Sequence, residues 1–110
     1  MVTAPFRGAS GKRYVYSLLP DNQEMGVPQQ GGVLIFAAGT FLVPEPVYVA
    51  AVKNLRGMVQ EMAVMREARE SHGATLLYLH LDPHSDFESR LIEAQDLIAA
   101  YDPPMNAKTA

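Results

Sequence analysis

The chain contains no cysteine, which excludes disulfides, thiol catalysis and thiolate metal sites. It has no apolar run near the ~18–20 residues that a membrane-spanning helix needs. Its first ten residues hold no long apolar stretch and do not read as a signal peptide. No membrane partner is therefore expected, and a small disulfide-free domain fits the cytoplasm. Positive charge is not in excess: nine lysines and arginines face twelve acids, a formal net charge of −3. That balance argues against a protein that holds duplex DNA by bulk charge. The serines lack a nucleophile-elbow context, because no G-x-S-x-G occurs. Gly8-x-x-Gly11-Lys12 has no strand before it, and no phosphate loop follows Gly31-Gly32.

What is present is material for one core. The 110 residues are 48% apolar and 19% charged, too apolar for disorder and too short for two independent domains. The charge is unevenly spread. Asp82 to Asp102 holds six acids and the single base Arg90, whereas Lys53 to Glu70 holds four bases and three acids.

Residues 1–13 are small, polar or basic and read as a flexible arm, followed by a single domain over 14–106 and a polar tail over 107–110. Tyr14–Leu19 is a β-prone run stopped by Pro20. Val33–Ala37 is an apolar run bounded by glycines and reads as a buried strand. Val47–Ala51 is a further strand, and the two form an antiparallel hairpin across about eight residues; Pro44 and Pro46 argue against a ladder within that connection. A helix is expected over Val52–Ser71, where Leu55, Val59 and Met62 keep helical spacing. It ends at His72-Gly73, since glycine accepts a left-handed cap. Ala74–Leu81 is a strand. Ser85 and Glu88 have capping-box spacing for a helix over about Asp86–Tyr101, with Phe87, Leu91, Ala94 and Ile98 in one stripe and Leu97 beside them. Pro103 and Pro104 end it. The order implies an α+β fold with a small, largely antiparallel sheet and helices packed on it.

Two clusters invite chemistry. His80, Asp82 and His84 alternate near His72 and Asp86 and are metal-ligand types, although Pro83 interrupts them; a solvated strand end is the simpler reading. Met58, Met62 and Met65 recur on one helix face, suited either to core packing or to an adaptable apolar contact surface.

From Tyr14 to Asn106 the sequence resembles the GIY-YIG nuclease domain, in particular its small stand-alone members. Gly32-Val33-Leu34-Ile35-Phe36 stands where that family has G-[VI]-Y, and Val47-Tyr48-Val49-Ala50 where it has Y-[IV]-G. Asn54-Leu55 matches the N-L that opens the family's first helix, and Gly73-Ala74-Thr75 resembles a lead-in to its third strand. Arg90-Leu91 and the segment from Leu97 to Asn106 resemble its last helix and its P-P-L-N ending. The resemblance implies a central antiparallel sheet of about three strands flanked by helices. It also implies metal-dependent phosphodiester hydrolysis, in which a glutamate holds Mg2+ or Mn2+ while two tyrosines and a helix cation act on water and phosphate.

Carried over position by position, most of that machinery is replaced. The first motif tyrosine falls on Leu34; the second is kept as Tyr48. The motif glycine falls on Ala50, the helix arginine on Met58 and the downstream helix histidine or tyrosine on Met62. The metal glutamate falls on Ala94. Glu93 is adjacent but is rotated ~100° around the helix, so it is expected to point away from the site. Asn106 is retained. The expectation is a catalytically inactive domain that binds a protein partner, or a second copy of itself, through an apolar groove at Leu34, Met58, Met62 and Ala94, with no cofactor. One alternative is a non-cleaving nucleic-acid binder using Lys53, Arg56, Arg66 and Arg69, with Arg7, Lys12 and Arg13 of the arm. Another is a residual metal-dependent nuclease using Tyr48, Glu93 and Asn106, with Glu93 on the metal.

Overall fold

A computed structural model describes residues 3–19, 30–54, 62–81 and 86–107, with only the backbone described for Met62 and Ala107. The strands are β1 (Thr3–Arg7), β2 (Arg13–Leu19), β3 (Gly32–Gly39), β4 (Pro44–Val52) and β5 (Leu76–Leu81). The helices are α1 (Met62–His72), α2 (Phe87–Tyr101) and the single turn α3 (Pro104–Ala107). All five strands join one antiparallel sheet in the order β1-β2-β5-β3-β4. The α+β class holds, with five strands in place of about three. Among the described residues no helix is long and apolar enough to cross a membrane.

Strand alternation sorts the side chains onto two faces. Phe6, Tyr14, Tyr16, Val33, Ile35, Val49 and Tyr78 form one core with Ala94 and Leu97 of α2. Leu34, Phe36, Val47, Leu77 and Leu79 form the other with Ala68 of α1 and Met105 of α3. A sheet covered on both faces explains why β3 reads as an unbroken apolar run: both of its alternating sets are buried.

The segment expected as a flexible arm contains β1. Its residues Ala4 and Phe6 alternate inward, and Phe6 is 1% exposed. Phe6 meets the rings of Tyr16, Tyr78 and Tyr101 edge-on at 5.0–6.0 Å. Burying one phenylalanine against three tyrosines contributes enough apolar area and ring-edge attraction to fix so short a strand.

The β3–β4 connection is residues 40–43, shorter than the sequence suggests, because β4 begins at Pro44. Pro44 and Pro46 are accommodated because β4 is an edge strand, where a missing N–H can face away from the ladder. The register shifts between Phe36↔Tyr48 and Ala37↔Pro46, which leaves Val47 as the extra residue of a bulge. Val47 and Tyr48 therefore face the same core.

Val52, expected to open the first helix, instead closes β4. The helix is described from Met62; Leu55, Arg56, Met58 and Val59 lie outside the described residues. Gly73 (φ 67°) ends it as expected: its N–H reaches the Arg69 carbonyl at 3.2 Å, and the Ala74 N–H reaches that of Ala68 at 2.9 Å.

The N-cap of α2 is Asp86, whose carboxylate accepts the Ser89 N–H at 2.8 Å and is held below the usual carboxylate range by that bond. Ser85, the expected cap, lies outside the described residues. Asp102 takes the left-handed conformation at the far end (φ 46°, ψ 59°) before Pro103 and Pro104. The inward stripe of α2 is Glu93, Ala94 and Leu97, whereas Phe87 and Leu91 are exposed. The helix is thus rotated toward a polar contact, with the Arg90 guanidinium donating to the Val52 carbonyl at 3.1 Å.

Candidate functional site

The densest polar chemistry among the described residues lies where α2 crosses β2 and β5. Tyr16 and His80 reach it by strand alternation, and Glu93 by its place on the inward stripe of α2. Glu93 is 8% exposed. One of its carboxylate oxygens, Oε2, accepts the Tyr16 hydroxyl at 2.5 Å and lies 2.8 Å from His80 Nδ1. The rings of Tyr16 and His80 are 5.3 Å apart. Burial, and then the charge of Glu93, push the Tyr16 phenol far above its ordinary pKa. It is thus a fixed proton donor to the carboxylate.

One turn further along α2, Asp96 anchors the β1–β2 connection. Its carboxylate accepts from Ser10 N at 2.8 Å, Ser10 Oγ at 2.7 Å and the Tyr14 hydroxyl at 2.9 Å. These donors hold Asp96 below the usual carboxylate range. Gly8 leaves room for this carboxylate: a Cβ there would lie 1.9 Å from Asp96 Oδ2, so a side chain at this position would displace it. Tyr14 is pushed up to about 12, by burial and then by its bond to Asp96. Tyr14, Tyr16 and Asp96 were not anticipated as a cluster. The signal available was the alternation of two tyrosines on β2, which does not reveal the helix that receives them.

The positions carried over from the nuclease resemblance do not converge. Leu34 is fully buried, and Tyr48 and Ala50 pack on the same face. Tyr48 is half-buried and stacks with Phe36 at 6.5 Å. Ala94 is buried in the opposite core, among Val49 and Leu97. Glu93 is buried beside Ala94 on the inward side of α2, against Tyr16 and His80, whereas Tyr48 packs with the other core. Met58 is outside the described residues, and only the backbone of Met62 is described. The apolar groove expected at Leu34, Met58, Met62 and Ala94 is therefore not assembled by the described residues: Leu34 and Ala94 are interior to different cores.

Asn106 serves the backbone. Its Oδ1 accepts the Val49 N–H at 2.8 Å and its Nδ2 donates to the Val49 carbonyl at 2.9 Å. This closes part of the open edge of β4.

The basic candidates are dispersed. Lys53 Nζ lies 5.4 Å from the centroid of the Phe87 ring. Arg66 and Arg69 are exposed on α1, and Arg56 lies outside the described residues. Of the histidine alternation only His80 is described; Asp82 and His84 are not. Among the described residues no three His, Asp or Glu side chains are grouped to hold a metal.

The chain superimposes on the crystal structure of the GIY-YIG N-terminal endonuclease domain of UvrC from Thermotoga maritima, bound to its catalytic magnesium, with a TM-score of 0.58. The match covers 74% of this chain and 89% of that one at 23% identity. The fold is that of a GIY-YIG endonuclease domain. No protein-family model matches the sequence, and no curated protein is significantly similar to it. The UvrC domain was solved with its catalytic magnesium; in this chain Glu93 Oε2 is engaged by Tyr16 and His80.

Proposed function

We propose that this chain is a GIY-YIG-fold binding module that does not hydrolyse phosphodiesters and that docks a protein partner or a second copy of itself. The observation that carries this reading is the fate of the carboxylate. The inward-facing acid of α2 is Glu93, and it is tied to Tyr16 and His80 on the sheet face opposite Leu34 and Tyr48. A nuclease of this fold needs a metal ligand, a cation and hydroxyls around one phosphate. Here the corresponding positions hold Leu34 and Ala94 as packing residues, and Asn106 as a backbone clamp.

Surface chemistry supports docking through side chains and not through strand addition. At the β1 edge Pro5 has no N–H to offer, and the Arg7 N–H already donates to the Tyr101 hydroxyl at 3.1 Å. At the β4 edge Pro44, Pro46 and the Asn106 clamp do the same. Such devices disfavour edge-to-edge pairing. The β3–β4 tip, in contrast, exposes three consecutive large apolar residues: Phe41 at 55%, Leu42 at 78% and Val43 at 69%. It is the strongest candidate for an anchor.

Light scattering over a concentration series tests the self-association form, comparing wild type with Leu42→Asp. The expected result is association that the substitution weakens. A strict monomer at high concentration confines the reading to a different protein partner. Fluorescence anisotropy with duplex and branched DNA at low salt is expected to give no binding; salt-dependent binding would instead support phosphate contacts by Lys53, Arg66 and Arg69.

A further inference from the structure

A cavity of about 240 Å3 opens beside α2, lined by Lys12, Tyr14, Ser89, Ile92 and Glu93. Glu93 is its one buried carboxylate among the described lining residues. Both hydrogen bonds that Glu93 makes in the described structure fall on Oε2, from Tyr16 and His80. Oε1 has no partner among the described residues and is not sealed from solvent. A nine-tenths-buried carboxylate thus keeps one acceptor oxygen unused at a cavity large enough for a molecule of about amino-acid size. Among the described lining residues the one base is Lys12, exposed at the rim, with Nζ 5.4 Å from the centroid of the Tyr14 ring.

We infer that this cavity binds a small zwitterion of the free α-amino-acid class, with its ammonium on Glu93 Oε1, its carboxylate on Lys12 and its apolar part against Ile92 and Tyr14. Charge complementarity selects this ligand class. A lone cation on Glu93 is repelled by Lys12, and a lone anion on Lys12 is repelled by Glu93; a dipolar ligand is attracted at both ends. Tyr16 and His80 keep the carboxylate oriented before the ligand arrives, so little ordering is needed at the deep end. The Ser89 hydroxyl supplies an adaptable polar contact between the two poles. This site lies on the face opposite Leu34 and Tyr48 and does not depend on the binding-module reading.

The test is an NMR titration of the amides of the intact chain with three matched probes: L-leucine, 3-methylbutylamine and 4-methylpentanoate. The amine and the acid each lack one pole of leucine. The expected result is saturable shifts at Lys12, Ser89 and Ile92 with leucine, at a Kd of about 1 mM or tighter, and at least ~10-fold weaker binding of each single-pole probe. Lys12→Gln, at an exposed site that leaves the core untouched, is expected to weaken leucine to the level of the amine. Glu93→Gln is expected to abolish leucine binding, with the melting curve as its folding control. No saturable shift at ~20 mM leucine, amine binding as tight as leucine, or unchanged leucine affinity in Lys12→Gln would each overturn the assignment.

Discussion

Glu93 and the groups around it behave differently when removed one at a time. Tyr16→Phe deletes a donor to a buried carboxylate and leaves the acceptor behind. The expected loss is ~1.5–3 kcal/mol in urea unfolding. Tyr78 is the opposite case. Its hydroxyl is buried without a partner among the described residues, so Tyr78→Phe is expected to hold or raise the Tm. Tyr14 sets an alkaline limit. Its phenol rises from 10.0 to about 12 on folding, so between those values the folded state retains a proton that the unfolded chain has lost. Stability is then complete below about pH 10 and falls as pH rises toward 12. Melting temperatures across that window should fall for wild type and fall less steeply for Tyr14→Phe, the remaining slope coming from Tyr16 and Tyr78, whose phenols burial also raises. The sequence marks Glu93 only as the acid next to Ala94 on the last long helix. Its partners Tyr16 and His80 come from β2 and β5 beneath α2, a meeting that no local spacing encodes.

Elements with strong local signals were legible. β3 and β5 are apolar runs with glycine or loop boundaries, and Gly73 ends α1 where expected. Elements fixed by tertiary contacts were not. β1 carries Pro5 and is followed by Gly8 and Gly11, so its local propensity is poor; its pairing with β2 and the burial of Phe6 override that. The prolines of β4 signal a loop until the strand is known to be an edge. Asn106→Ala removes both bonds to Val49 and exposes the β4 edge, with an expected loss of about 1–2 kcal/mol and increased aggregation on heating, measured by calorimetry and turbidity. Gly73→Ala forces a Cβ into the left-handed region at φ 67°, with an expected cost of about 1 kcal/mol by urea unfolding.

At the level of the whole molecule, the element order and the Pro103–Asn106 ending were enough to point to the GIY-YIG fold, and superposition on the UvrC domain bears that out. The arrangement of a functional site was less legible, because substitutions at Leu34 and Ala94 say what is missing and not what replaces it. In the folded chain both side chains are core, and the densest polar cluster among the described residues is Tyr16, His80 and Glu93. The net charge of −3 accompanies a surface whose prominent apolar feature is the tip at Phe41–Val43. The central claim is that this fold persists here without its hydrolytic chemistry. Nicking of supercoiled plasmid in Mg2+ and in Mn2+ tests it most directly. The account predicts no nicking above the metal-only background, for wild type and for Glu93→Ala alike. Metal-dependent nicking by the wild type that Glu93→Ala abolishes would contradict it.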